Sequence, residues 1–131
     1  MRVAELMKMS VETVMADASV QDAIVTMADA HVSSLPVVDM RGRMLGVISN
    51  SDVLAAEAET GDGGLATLLD ETVKSIMSTR PLAVSPQTTV REAAQQMLYA
   101  DVHRLYVVED GRVVGVISTM DIVRAVATGE L

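Results

Sequence analysis

The amino-acid sequence predicts an α/β (α+β) fold made of two similar repeats, each with a lead-in helix followed by strand, helix, strand, strand and helix. Three observations support this prediction. Residues 7–54 align with residues 77–123 with one single-residue gap. Helical and strand-like apolar spacings follow one another in the same order in both halves. Half of the 131 residues are hydrophobic, which is enough for a buried core.

The duplication is visible in residues that are identical at equivalent positions of the two halves. These are Met7/Met77, Val14/Val84, Val20/Val90, Ala23/Ala93, Met27/Met97, Gly46–Ser49/Gly115–Ser118 and Asp52/Asp121. We therefore predict a first repeat at 1–58, a linker at 59–71 and a second repeat at 72–131. The linker begins with a glycine-rich stretch and ends in residues able to form a helical turn.

Each repeat opens with a short amphipathic lead-in and a brief extended segment. The lead-ins are residues 3–8 and 73–77, and the extended segments lie near Val14 and Val84. A helix of about three turns follows because apolar residues recur at helical spacing. Its predicted N-caps are Ser19 and Thr89, each with an acidic residue three positions later.

The second half of each repeat predicts a hairpin and a helix. Segments rich in β-branched residues flank turns that contain glycine, and Asp-Gly is a strong hairpin signal. The predicted strands are Leu35–Val38, Met44–Ser49, Leu105–Val108 and Val113–Ser118, with final helices beginning near Asn50 and Thr119. A small sheet covered on one face needs a partner, so we expect the two repeats to pack through their sheets.

Composition excludes several classes of function. The formal net charge of -8 opposes the attraction to phosphate on which nucleic-acid binding depends, so we expect no nucleic-acid partner. The absence of cysteine excludes disulfides, thiolate metal sites and a cysteine nucleophile. Glu5 and Lys8 interrupt the N-terminal apolar residues, so we expect no membrane span and a cytoplasmic protein.

The segment Gly-x-x-Ser-x-x-Asp occurs once in each repeat, where a strand should meet a helix. Ser49 or Ser118 and the first helical N–H groups favour a bound anion. Asp52 or Asp121 could accept hydrogen bonds from both hydroxyls of a ribose. The alternative is that each Ser caps its helix and each Asp improves the helix dipole. Two copies favour the ligand interpretation.

These motifs resemble the cystathionine-beta-synthase (CBS) domain. The resemblance rests on Val32–Asp39, Gly42-Arg43 and Gly46–Asp52, and on Val102–Leu105 with Gly115–Asp121. It covers nearly the whole chain. The family implies a stand-alone Bateman module with two repeats related by a pseudo-twofold axis and two clefts between them. It also implies an adenosyl ligand, namely AMP, ADP, ATP or S-adenosylmethionine, or else a cyclic dinucleotide.

Similarity to the gamma subunits of AMP-activated protein kinases implies which residues serve each cleft. The Asp52 cleft would hold Ser49 and Ser51, with Thr88, Ala93, Val102, His103 and Arg104 opposite. The Asp121 cleft would hold Ser118, with Ala23, Val32 and Ser33 opposite. Because His103 and Arg104 match phosphate-binding residues of those subunits, we expect the phosphorylated ligand in the Asp52 cleft. His103 is open to a second interpretation, as a solvent-facing polar residue.

We expect a regulatory sensor that catalyses no reaction and requires no cofactor. No paired carboxylates or nucleophile and base occupy suitable positions, and the two histidines, His31 and His103, lack companion metal ligands. An exposed salt bridge is favoured over a phosphate contact for Arg124. A purely structural or interaction module is the alternative to the sensor. The apolar content and the family resemblance favour a homodimer; the regulated protein is unknown.

Overall fold

The computed structural model of the chain describes residues 1–60, 64–79 and 83–131. The helices are α1 (Val3–Leu6), α2 (Val20–Ala30), α3 (Asn50–Thr60), α4 (Leu65–Asp70), α5 (Val73–Ile76), α6 (Val90–Ala100) and α7 (Thr119–Ala127). The strands are β1 (Val14–Met15), β2 (Ser34–Val38), β3 (Met44–Ser49), β4 (Ala83–Val84), β5 (Arg104–Glu109) and β6 (Arg112–Ser118). The predicted element order is confirmed in both halves.

The chain divides into two compact units. One unit combines Met1–Val11 with Leu82–Leu131, and we call it the Asp121 unit. The other unit is Glu12–Pro81, and we call it the Asp52 unit. The predicted ranges 1–58 and 72–131 follow the linear repeat, whereas the units follow contacts in space. Each lead-in segment therefore lies in the unit formed mainly by the other repeat.

Each unit contains a three-stranded mixed sheet. In the Asp52 unit the strand order is β1-β2-β3, with β1 parallel to β2 and β2 antiparallel to β3. The Asp121 unit repeats this arrangement as β4-β5-β6. Parallel neighbours require a crossover, and α2 and α6 supply it. The predicted α/β class is confirmed.

The first long helix of each repeat begins at its predicted cap. The Ser19 hydroxyl accepts a hydrogen bond from the Asp22 N–H at 3.0 Å. The Thr89 hydroxyl accepts one from the Glu92 N–H at 3.1 Å. Each bond satisfies a backbone donor that has no acceptor within the helix, which explains why both helices start at these residues.

Each unit has its own aliphatic core, with one member supplied by a lead-in helix. In the Asp52 unit the main cluster of buried residues comprises Val14, Ala23, Met27, Leu35, Val37, Ile48 and Val73. In the Asp121 unit it comprises Val3, Val84, Ala93, Met97, Leu105, Val107 and Ile117. Val3 and Val73 are both completely buried. Their burial attaches each lead-in helix to its unit.

A glycine on the return strand of each unit allows the lead-in backbone to approach closely. Lys8 forms an antiparallel bridge with Val116, and Ser78 forms one with Val47. A Cβ added at Gly115 would lie 2.9 Å from the Lys8 carbonyl oxygen, and one at Gly46 would collide with the Ser78 carbonyl oxygen. Only glycine fits these two positions without a shift of the neighbouring chain.

The predicted linker contains one described helix. Helix α4 occupies Leu65–Asp70, and Leu68 is 1% exposed within it. The glycine-rich residues 61–63 lie outside the described residues. The end of the linker is therefore anchored by an apolar side chain.

Candidate functional site

The Asp52 unit places a Ser–Asp pair where β3 ends and α3 begins. The Asp52 carboxylate oxygen Oδ2 accepts hydrogen bonds from the Ser49 N–H at 2.9 Å and from the Ser49 hydroxyl at 3.0 Å. In return, the Asp52 N–H donates to Ser49 Oγ at 3.2 Å. These reciprocal bonds hold the carboxylate at the first turn of the helix.

The Asp121 unit builds the equivalent pair in nearly the same way. The Ser118 N–H donates to Asp121 Oδ2 at 2.9 Å, and the Asp121 N–H donates to Ser118 Oγ at 3.2 Å. This pattern is a capping box. The capping role considered from the sequence is therefore present in both units, and any ligand would meet carboxylates that are already oriented.

The loop before each hairpin is tied to the start of the same final helix. The Asn50 N–H donates to the Ser33 carbonyl oxygen at 3.0 Å, and the Thr119 N–H donates to the His103 carbonyl oxygen at 2.9 Å. Ser33 thus lies near Ser49 in one unit, as His103 does near Ser118 in the other. Two of the first three N–H groups of each helix are already used, which reduces the donors available to an anion.

The other predicted site residues differ in how accessible they are. Ala23 and Ala93 are 0% exposed within the cores of their units. Val32 and Val102 are half-buried against the same cores. The remaining predicted residues are more polar, and Ser33, Ser51 and His103 are exposed whereas Thr88 and Arg104 are half-buried.

Thr88 and Arg104 have defined places in the Asp121 unit. The Thr88 hydroxyl accepts a hydrogen bond from the Ser85 N–H at 3.1 Å, in the turn after β4. Arg104 begins β5 and pairs in register with Ser118, the last residue of β6. The strand register therefore brings Arg104 beside the Ser–Asp pair of its own unit.

Two cations flank the Asp121 carboxylate. Its oxygen Oδ1 lies 3.8 Å from Lys8 Nζ and 3.7 Å from an Arg124 guanidinium nitrogen. The Asp121 side chain is 4% exposed, whereas those of Lys8 and Arg124 are 64% and 62% exposed. The salt bridge predicted for Arg124 from the sequence is confirmed, and Lys8 forms a second ion pair with the same carboxylate.

These three side chains line a cavity of about 260 Å³. Its lining also includes Leu6, Ala125, Thr128 and Glu130. The mixture of apolar, hydroxyl and charged groups suits a ligand that has both polar and apolar parts.

Asp52 has a different electrostatic environment. No salt bridge joins Asp52 to any of the described residues. When the two repeats are aligned, Ser78 is equivalent to Lys8, and Ala55 is equivalent to Arg124. The duplicated carboxylates therefore keep their Ser partners and differ in the cations around them.

An apolar groove of about 560 Å³ runs between α2 and α3 of the Asp52 unit. Ile24, Met27, Ala28, His31, Val32, Asn50, Val53 and Leu54 line it. Asp52 is not among these residues, but the lining includes its neighbour Val53, Asn50 and the predicted site residue Val32. Among the described residues there is no cluster of three metal-binding side chains and no helix long and apolar enough to cross a membrane.

Both repeats match one known protein family. Residues 3–59 and 73–128 match the family model described as "CBS domain". The chain belongs to the CBS-domain family. The resemblance noted in the sequence is thereby confirmed, and the chain is a tandem CBS pair.

Curated relatives include both CBS-domain proteins and an enzyme. The chain is 30% identical over 130 residues to the chloroplastic CBS domain-containing protein CBSX2 of Arabidopsis thaliana, with 82% of this chain and 55% of the relative covered. It is 33% identical over 122 residues to an inosine-5'-monophosphate dehydrogenase of Methanocaldococcus jannaschii, with 92% of this chain and 22% of that enzyme covered. The chain thus spans about half of CBSX2, and the enzyme is matched over a minor part of its length.

Solved structures show the same fold with adenosyl ligands. A crystal structure of CBSX2 in complex with AMP has a TM-score of 0.84 and 28% identity, covering 99% of this chain and 98% of that chain. The CBS pair of MJ0100, in complex with 5'-methylthioadenosine and S-adenosyl-L-methionine, has a TM-score of 0.80 and 23% identity, covering 100% and 98%. The second comparison supports the fold of this CBS pair.

Sequence reasoning did not single out Lys8 as a site residue. A linear view of the repeat assigns Lys8 to the first repeat, whereas its backbone pairs with β6 and its side chain approaches Asp121. The signal was present in Gly115, because glycine inside a strand indicates close approach of another backbone. The identity of the approaching segment required the structure.

Proposed function

We propose that this CBS pair is a regulatory module that binds an adenine nucleotide or another adenosyl compound at its Ser–Asp pairs. The observation that carries the proposal is the likeness, over 99% of this chain, to CBSX2, which was crystallised with AMP. The Ser–Asp geometry supports it because the same oriented carboxylate occurs in both units. The assignment of the other predicted ligand-binding residues to an Asp52 cleft and an Asp121 cleft stays a prediction.

The carboxylates would recognise the ribose. In each pair Oδ2 accepts hydrogen bonds from the neighbouring serine. Oδ1 of Asp52 and of Asp121 accepts no hydrogen bond from the described residues. An ionised carboxylate oxygen is an acceptor, and the two ribose hydroxyls are donors, so Oδ1 of each aspartate can accept from the diol. Oδ1 of Asp121 also lies within 4 Å of the charged ends of Lys8 and Arg124.

Regulation would follow from differential affinity. A ligand that binds one arrangement of the CBS pair more tightly than another shifts the population toward that arrangement. A protein partner that contacts the altered surface would read the shift. We propose no reaction and no required cofactor for the pair, and we expect AMP and ATP to be recovered unchanged after hours with the protein.

Calorimetric titration of nucleotide-stripped protein with AMP, ATP and S-adenosylmethionine tests the proposal. We expect saturable binding of at least one of the three compounds. Silence from all three would contradict the proposal and favour a cyclic-dinucleotide binder or a structural module. The structural alternative has its own support, because both Ser–Asp pairs complete their capping bonds without a ligand.

We further propose that the pair self-associates through exposed apolar side chains of α6 and α7. These are Leu98, Tyr99, Met120, Val123 and Val126. Tyr99 is 95% exposed, which leaves a large apolar surface in water. Sedimentation over a range of concentrations should show a dimer that the substitution Tyr99→Ser weakens. A monomer at all concentrations would contradict this part of the proposal.

A further inference from the structure

We propose that Lys8 and Arg124 make the Asp121 unit selective for a phosphorylated adenosyl ligand, whereas the Asp52 unit takes the less charged adenosyl compound. This inference rests on the proposed function. It adds two specificity-determining residues and assigns the ligand class of one site.

Lys8 and Arg124 carry their positive charges beside Asp121. Both charged ends lie within 4 Å of Asp121 Oδ1, the oxygen available to a ribose hydroxyl. A phosphate attached to the 5′ carbon of that ribose lies at the other end of the same sugar, a distance that long lysine and arginine side chains can span by turning. Lys8 and Arg124 reach this region from two elements, the lead-in segment and α7, so they approach Asp121 from separate parts of the unit.

Asp121 does not hold Lys8 and Arg124 rigidly in place. Their distances of 3.8 and 3.7 Å exceed hydrogen-bond length, which is about 2.7–3.2 Å for N–H to oxygen. Both cationic side chains are about two-thirds exposed, so water competes with the buried Asp121 carboxylate for their charged ends. Each cation can therefore turn toward a phosphate while the carboxylate holds the ribose.

The cavity beside Asp121 is lined by charged residues of both signs. Its lining carries Lys8 and Arg124 against Asp121 and Glu130, so cations and carboxylates are equal in number. The Asp52 carboxylate has Ser78 and Ala55 at the equivalent positions, and neither is charged. A phosphate would therefore meet a lining of zero formal charge beside Asp121, whereas Asp52 has no salt bridge to a described residue.

This assignment differs from the sequence-based expectation that the phosphorylated ligand binds with Asp52. That expectation depended on the likeness of His103 and Arg104 to residues of kinase gamma subunits. The present inference depends on distances within one unit, and a test can separate the two assignments.

The test compares AMP with adenosine, which differ only by the phosphate. In protein carrying Asp52→Ala, which disables one Ser–Asp pair, we expect calorimetry to show AMP binding at least about tenfold tighter than adenosine, the scale of one charged hydrogen bond. Adding Lys8→Ser and Arg124→Ala gives the Asp121 unit the residues of the Asp52 unit. We expect this variant to lose the tenfold preference, so that its affinities for AMP and adenosine become equal within about twofold.

Controls keep the outcomes distinct. Arg91→Ala removes an exposed cation on α6 and should preserve the AMP preference. Arg124→Ala alone tests the inference without altering the lead-in segment, and thermal unfolding checks that each variant is folded. Equal affinity for AMP and adenosine in the Asp52→Ala protein, or a preference that survives in the triple variant, overturns the inference alone. Failure of AMP, ATP, adenosine and S-adenosylmethionine all to bind wild-type protein overturns the proposed function as well.

Discussion

The Asp52 and Asp121 units are two versions of one scaffold, and they differ where side chains reach solvent. Both keep a three-stranded mixed sheet, a capped crossover helix and a Ser–Asp pair at the final helix. Only the Asp121 carboxylate is flanked by Lys8 and Arg124 among the described residues. Features that the backbone requires have stayed alike, whereas residues that set charge have diverged.

The largest effect should come from a feature the units share. Gly46→Ala and Gly115→Ala each place a Cβ against the lead-in backbone of the same unit. We expect each substitution to lower the free energy of unfolding by about 1–3 kcal/mol, the usual cost of overpacking. Denaturant unfolding measures both.

Gly42→Ala is the matched comparison, because a Cβ there meets nothing within 4 Å and only the backbone angle φ of +79° is unfavourable. It should cost about 1–2 kcal/mol for a side chain in a left-handed conformation. If Gly115→Ala or Gly46→Ala were neutral, the lead-in segment would not lie where the structure places it.

Replacing Asp52 or Asp121 should lower the free energy of unfolding by a smaller amount, and the amount should differ between the two residues. Replacing either aspartate by alanine removes the acceptor for the serine N–H, which is half of the reciprocal capping pattern, and should cost about 0.5–2 kcal/mol of unfolding free energy. Asp121→Ala also removes two ion pairs, each of which adds up to about 1 kcal/mol.

Measuring both variants at several salt concentrations shows whether ion pairs cause the extra cost of Asp121→Ala. The extra cost of Asp121→Ala should decrease as sodium chloride is raised, because salt screens exposed charges. The cost of Asp52→Ala should change less. Equal costs at every salt concentration would show that Lys8 and Arg124 do not stabilise Asp121.

The smallest effect concerns the hairpin turns. In the Asp52 unit, hydrogen bonds from the Arg43 and Arg41 N–H groups to Asp39 hold the pKa of that carboxyl below its ordinary value. A lowered pKa in the folded state stabilises the protein above the ordinary aspartate pKa, and the stabilisation is lost as pH falls through the folded value. Asp39→Asn should therefore reduce the loss of stability in acid.

Thermal unfolding at mildly acidic and strongly acidic pH tests this prediction. An Asp39→Asn variant that loses as much stability in acid as the wild type would show that the hydrogen bonds from Arg41 and Arg43 to Asp39 do not stabilise the turn.

Local sequence signals were sufficient to predict the elements. Ser19 and Thr89 are caps because their side chains accept hydrogen bonds from the helix, and this depends on neighbours three residues apart. Asp110 and Gly111 form the predicted tight turn because both adopt positive φ, at 53° and 80°. Such features depend on short segments and can be read from the chain.

The environment of the carboxylates could not be predicted in the same way. Lys8 and Asp121 are far apart in sequence, and the repeat alone gives no reason to pair them. Buried Ala23 and Ala93 likewise illustrate that similarity to a family suggests a lining position without showing whether the side chain is accessible. Contacts of this kind depend on which lead-in segment joins which sheet.

The central claim is that the two Ser–Asp pairs bind an adenosyl ligand, and AMP titration of three variants tests it most directly. Calorimetry of Asp52→Ala, Asp121→Ala and the double variant should show binding weakened by about 1–3 kcal/mol at the altered pair, the scale for a lost charged hydrogen bond. Asp121→Ala should reduce AMP binding more than Asp52→Ala does, and the double variant should bind least. AMP affinity equal to that of the wild type in all three folded variants would contradict the account.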